Sequence, residues 1–242
     1  MTIWGLTVFD LLALIFFLIA WLGYGSFLKW KDSHLQGVTT AMIDHRRAWM
    51  DALLARDMKD ADIAIVGHIM STAAFFASTT VVVIGALLGV IITLGRNLPA
   101  GPSTLLAIAP PTPFEVKIVL IIVVAVYAFQ SFTWAIRQAN FAAVTMGAAP
   151  PAVSTDSELR NRLAVSMGNI ITGVAESYDS GMRAYYFALS AVTWIVSPVL
   201  FLLTTAGVLA LLLHRQTKSR TALALKKITS ARSEVARSKS GG

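Results

Sequence analysis

Few residues in this sequence have types and spacings that perform chemistry. His34, His45, His68 and His214 are scattered, no His-Glu-x-x-His pair exists and cysteine is absent. Neither a structural zinc site nor an iron–sulfur set can therefore be drawn. Asp57, Asp60 and Asp62 offer hard oxygen ligands for a cation, but Arg56 and Lys59 interleave with them and the stretch reads as a solvated helix face. Ser26 and Lys29 have the Ser-x-x-Lys spacing of serine–lysine hydrolases, at the end of an apolar segment where such a tetrapeptide arises by chance. No phosphate-cradling glycine loop and no nucleophile elbow are present. The expectation is a non-enzymatic protein with no cofactor and no metal site.

What remains is polarity set into apolar segments. His68 and Thr72 share a face with Thr79; Tyr127, Gln130, Trp134, Arg137 and Asn140 or Phe141 recur at steps of three and four; Tyr186, Ser190, Thr193 and Ser197 do the same. Turned inward together, these stripes make a polar seam. One reading is a pathway for a small ion or solute, with Arg137 and His68 as selectivity or gating groups. The plainer reading is helix–helix glue, with Arg137 snorkelling to the interface and His68 at the membrane boundary. Gly85 and Gly89 form a small-xxx-small pattern that lets helices approach closely. Arg46 and Arg47 suit anionic headgroups, and Trp49 beside them is an interface anchor or a packing contact. Asp10 either sits in the interface near Trp4 or pairs with a cation from another helix, the interface being the simpler placement.

The elements that position these residues follow from composition. Of 242 residues 56% are hydrophobic and 14% charged, and mean hydropathy is +0.68. A soluble domain would carry roughly a quarter of its residues as charges, so ordinary cytosolic, disordered, collagen-like and disulfide-stapled classes are excluded. Four stretches long enough to cross about 30 Å of hydrocarbon stand out, 4–28, 64–94, 118–136 and 184–213, and only the first contains a formal charge, Asp10. With no basic residue before it and Lys29 and Lys31 just after, the first reads as a retained anchor and not a cleaved signal peptide. Pro198 marks a kink in the fourth, and the carbonyl freed one turn back must be satisfied by a hydroxyl such as Ser197 or Thr193, by water or by a neighbouring helix.

Between spans, 40–63 reads as an amphipathic helix with Met42, Trp49, Met50, Leu53 and Leu54 on one face, and Arg47–Asp51 and Arg56–Asp60 as pairs along its surface. A second amphipathic helix over 156–179 opens on a Thr155–Glu158 capping box and aligns Leu159, Leu163, Met167, Ile171 and Val174. The stretch 95–113 is Pro- and Gly-rich and reads as an irregular loop. The expected architecture is all-α: an integral membrane bundle of four transmembrane helices with two cytoplasmic amphipathic helices, a membrane domain over 1–213 and a basic, partly disordered tail over 214–242.

Six Lys and Arg lie between the first and second spans, two between the second and third, four between the third and fourth, and eight in the tail. The positive-inside bias puts the first and third loops in the cytoplasm and the N-terminus outside. Four full crossings then leave the basic tail outside, whereas a re-entrant fourth segment broken at Pro198 returns it to the cytoplasm. The partners expected are membrane lipids, anionic ones included, and further copies of the chain or other membrane subunits. Nucleic acid is the poorer fit to the charge, because the tail's basic residues begin at the membrane.

With this order in hand, the sequence resembles domain of unknown function 599. The residues that carry the likeness are the N-terminal span, Arg46, Arg47, Trp49 and Met50 in DHRRAWM, the run from Asp60 to Ser78, and NRLAVSMGN from Asn161 to Asn169. It covers the chain up to about His214. The family is one of uncharacterised bacterial and plant membrane proteins; the resemblance implies a multi-span inner-membrane protein, read as bacterial, and supplies no activity, cofactor or catalytic residue.

Overall fold

The structure, a computed structural model, describes residues 6–35, 38–96, 112–151, 156–218 and 228. The Pro-rich stretch from 97, Thr155 of the expected capping box and nearly all of the tail beyond Lys218 lie outside these. Among the described residues the chain forms six α-helices: α1 (Val8–Leu35), α2 (Val38–Leu54), α3 (Asp60–Arg96), α4 (Pro113–Gly147), α5 (Ser157–Val192) and α6 (Pro198–Lys218). Four carry windows long and apolar enough to cross a membrane, within α1, α3, α4 and α6.

Local signals set the starts. At α1, Thr7 N–H and Oγ1 donate to Asp10 Oδ2 at 3.0 and 2.7 Å while Asp10 N–H donates to Thr7 Oγ1 at 3.2 Å, a reciprocal cap that satisfies orphan helix donors. At α4, Thr112 and Glu115 make the same exchange, with Pro113 at the first helical position, where its missing N–H costs nothing.

Three boundaries differ from the sequence expectation. The first amphipathic helix does not run to 63. It stops at Leu54, because Arg56 folds back to donate to the Ala52 carbonyl and its guanidinium turns to Asp62, which starts α3 at Asp60 after a short turn. The second amphipathic helix does not stop at 179 but continues as one 36-residue helix to Val192. Finally, Pro198 does not kink a long fourth span. The chain leaves α5 through a 3-10 turn at Thr193–Ile195, and Ser197 Oγ accepts the Val199 N–H at 3.3 Å. A Ser–Pro pair in these places is the start of a new helix.

The chain divides into two compact units. Unit 1 comprises 1–24, 73–133 and 178–209; unit 2 comprises 25–72, 134–177 and 210–242. In unit 1, Phe17 meets Phe187 edge-on at 5.7 Å and Phe201 at 5.1 Å, and Trp194 stacks on Phe201 at 5.1 Å. A second aromatic group in unit 1 stacks Phe76 on Phe132, with Tyr178 against both. Gly181 is required there: a Cβ would lie 2.7–2.9 Å from the Phe132 ring. In unit 2 the core joins Met50, Leu53 and Leu54 of α2 with Val66 of α3, Ala139, Ala142 and Met146 of α4, and Ala164, Met167, Ile171 and Val174 of α5. The apolar face of α2 is thus buried against protein. Its backbone approaches α5 closely at Gly168, where a Cβ would come within 3.0–3.3 Å of Arg47 Cγ, Cα and N.

Candidate functional site

Among the described residues, each unit buries a carboxylate held by a tryptophan and a cation. In unit 1 the residue is Asp10, 6% exposed. Its Oδ2 is taken by the Thr7 cap, and its Oδ1 accepts the Trp194 Nε1–H at 2.8 Å and faces Lys117 Nζ at 3.7 Å. The same ammonium lies 5.6 Å from the Trp194 ring centroid, so one cation serves the carboxylate and the indole face together. Of the two placements drawn from the sequence, the structure shows the pairing: Asp10 meets a cation from α4, and the cation together with the hydrogen bonds offsets the cost of burying the carboxylate.

In unit 2 the residue is Asp62, 3% exposed. Its Oδ1 accepts Trp49 Nε1–H at 2.7 Å and Arg56 Nη2 at 3.1 Å; its Oδ2 is buried with no hydrogen-bond partner. The sequence reading of Asp57, Asp60 and Asp62 as a solvated face holds for the first two, which are exposed, and fails for Asp62. Trp49 is a packing residue whose indole reaches Asp62. Next to this pair, Lys59 Nζ donates to the Ala149 and Pro150 carbonyls at 2.8 and 3.3 Å, joining the α2–α3 turn to the chain after α4. The surface pairs drawn from spacing also change partner. Asp51 pairs with Arg160 of α5 at 3.1 Å, and Arg56 with Asp62, because the turn at 55–59 carries Arg56 off the helical surface.

The residues of the expected polar seam fall in different surroundings. Ser190 and Thr193 are brought together with two hydroxyls not singled out before: Ser190 Oγ bonds Thr205 Oγ1 at 2.7 Å and Thr193 Oγ1 bonds Thr204 Oγ1 at 2.8 Å. These rungs tie the end of α5 to α6 within unit 1. Ser197 caps α6. Gln130, also in unit 1, is exposed. In unit 2, His68 is exposed, Thr72 donates to the His68 carbonyl, and Asn140 donates to Ile136 on its own helix. The Arg137 guanidinium lies 5.7 Å from the Trp134 ring centroid and 5.8 Å from that of Phe141, a sandwich between two aromatics one turn apart on either side. Gln138, passed over in the sequence, donates to Ser177 at 3.0 Å in unit 2. Arg46 is half-buried and Arg47 exposed. Gly85 and Gly89 are exposed, and a Cβ on either would meet nothing within 4 Å.

An all-helical chain with four apolar helices of spanning length, its buried charges neutralised in pairs, has the make-up of a multi-span membrane protein. The chain belongs to the family described as protein of unknown function, DUF599, which matches residues 12–221. No curated protein and no solved structure matches it.

Proposed function

We propose that this protein is a non-enzymatic component of the bacterial cytoplasmic membrane that self-associates, or docks as a subunit in a larger membrane assembly, with its N-terminus outside and the loops bearing α2 and the start of α5 in the cytoplasm. The observation that carries the reading is the face of α3 around Gly85 and Gly89. Both glycines are open to their surroundings, and Val81, Val82, Leu88 and Ile92 beside them are exposed. Gly168, Gly173 and Gly181 serve close contacts within the chain, whereas Gly23, Gly25, Gly67, Gly147 and Gly207 are open as well, and Gly85 and Gly89 differ from those in being spaced four apart on one face of a spanning helix. A second copy of α3 can approach across Gly85 and Gly89 to backbone distance, which is how helices associate in lipid, where apolar burial supplies no drive.

Anionic lipids are the partners that fit Arg46 and Arg47. A conduction pathway is the less favoured function, since Ser190, Thr193, Thr204 and Thr205 spend their hydroxyls on one another and so act as internal glue. Native mass spectrometry of the chain extracted with its lipid tests the reading. The wild type is expected as a homo-oligomer or with other subunits, and Gly85→Leu with Gly89→Leu as the lone chain. An assembly unchanged by both substitutions would remove this face from the interface.

A further inference from the structure

α4 and α5 pack against each other in opposite directions. Gln138 of α4 donates to Ser177 of α5 at 3.0 Å, while Phe132, earlier on α4, packs on Gly181, later on α5. Arg137 and Glu176 each stand one residue before a member of the Gln138–Ser177 rung. One residue is a step of about 100° around a helix axis. On helices that run opposite ways, this backward step turns both positions to the same side of the pair, at the level of the rung. Both residues are exposed, and both belong to unit 2.

Among the described residues neither is paired. The Arg137 guanidinium is held by its faces, between Trp134 and Phe141, and no carboxylate, carbonyl or hydroxyl there takes its N–H groups; Glu176 has no hydrogen-bond or ion partner there either. By contrast, Asp51 with Arg160, Asp62 with Arg56 and Glu158 with Arg162 close their pairs inside unit 2. A guanidinium stacked on rings keeps its N–H edge for a planar acceptor such as a carboxylate. α4 is also apolar enough to span a membrane, and an ionisable group on such a helix is as a rule met by a partner. One side of unit 2 thus presents an unmet cation and an unmet carboxylate at one level. A two-fold axis parallel to the helices preserves that level and exchanges the two positions. We propose that this patch is a self-complementary contact with a second copy of the chain, closed by two reciprocal Arg137–Glu176 pairs. It is a different face from Gly85 and Gly89 of α3, and it rests on the self-association proposed above. Exposed ion pairs hold weakly, so the contact sets how neighbouring copies face each other in the membrane, while the α3 face keeps extracted chains together.

Because the chain has no cysteine, the contact can be trapped as a disulfide. Arg137→Cys and Glu176→Cys are placed on two differently tagged full-length chains in one membrane, which is then oxidised. In a mixed pair the two cysteines replace one Arg137–Glu176 pair and the reciprocal one stays intact. The expected product is a disulfide joining the two tags, with little from either variant expressed alone. Adding Glu176→Arg to the Arg137→Cys chain sets arginine against arginine in the remaining pair and is expected to lower the yield at least about fivefold. Adding Arg137→Glu to the other chain as well restores opposite charges, and the yield should return with them. No mixed disulfide, equal yields from mixed and single variants, or a yield unmoved by charge reversal would overturn the contact; a headgroup or another protein is then what meets Arg137. If the wild type still assembles in native mass spectrometry, that failure leaves the α3 reading standing. Absence of both the disulfide and the assembly would overturn self-association as well.

Discussion

Trp49→Phe isolates the buried carboxylate of Asp62. The indole supplies one of two donors to Oδ1, at 2.7 Å, while Oδ2 has none. Phenylalanine keeps a ring against the unit 2 core and deletes only the donor. A hydrogen bond to a charged group contributes about 1.5–3 kcal/mol net, and a buried acceptor left short of donors falls toward the upper end. Arg56 is no substitute: its side chain is 49% exposed, and pairs with such exposed partners contribute about 0–1 kcal/mol. We therefore expect Trp49→Phe to cost about 2–3 kcal/mol and Arg56→Ala less than about 1 kcal/mol. For a chain of this length each kcal/mol lowers Tm by about 2–4 °C. The two variants should then unfold roughly 4–12 °C and under about 4 °C below the wild type, followed as loss of helical circular dichroism in detergent. The background matters as much as the size. In Asp62→Leu the indole N–H itself lacks an acceptor, so Trp49→Phe added there should be neutral or stabilising. A larger cost for Arg56→Ala than for Trp49→Phe, or an equal cost for Trp49→Phe with and without the carboxylate, would show that the indole N–H does not stabilise Asp62.

Removal of the other carboxylate by Asp10→Ala strands the Lys117 ammonium and the Trp194 N–H and should cost about 3–5 kcal/mol; adding Lys117→Met should recover part of it, read as a higher Tm for the double variant. Gly181→Ala forces a methyl into the Phe132 ring, which Phe76 and Tyr178 hold in place, and should lower stability by about 1–3 kcal/mol. Gly85→Ala, with nothing within 4 Å, should leave the Tm of the dissociated chain unchanged. Asp51→Ala breaks a pair that is 56% exposed at Asp51 and 40% at Arg160, and the expected loss is under about 1 kcal/mol in the same assay.

The helical class, the approximate place of the apolar segments and the faces of α2 and α5 that meet in unit 2 are legible in the residues alone. These are properties of neighbouring residues: twenty apolar positions in a row and a period of 3.6 need no knowledge of the rest of the chain. The family likeness was also readable from short runs such as DHRRAWM, and the match over 12–221 agrees with it. Tertiary structure alone decided which charges are buried. Asp62 reads like its exposed neighbours Asp57 and Asp60 until Trp49 is folded against it, and the contact between Trp194 and Asp10 spans 184 positions. Helix ends were decided there as well. The turn at 55–59 exists because Arg56 finds a carbonyl and a carboxylate. A kink and the hairpin at 193–197 look alike in the sequence, because each is a Ser-Pro pair inside an apolar run. What separates them is whether the following helix turns back on the preceding one, and only the pairing of Ser190 with Thr205 and Thr193 with Thr204 records that.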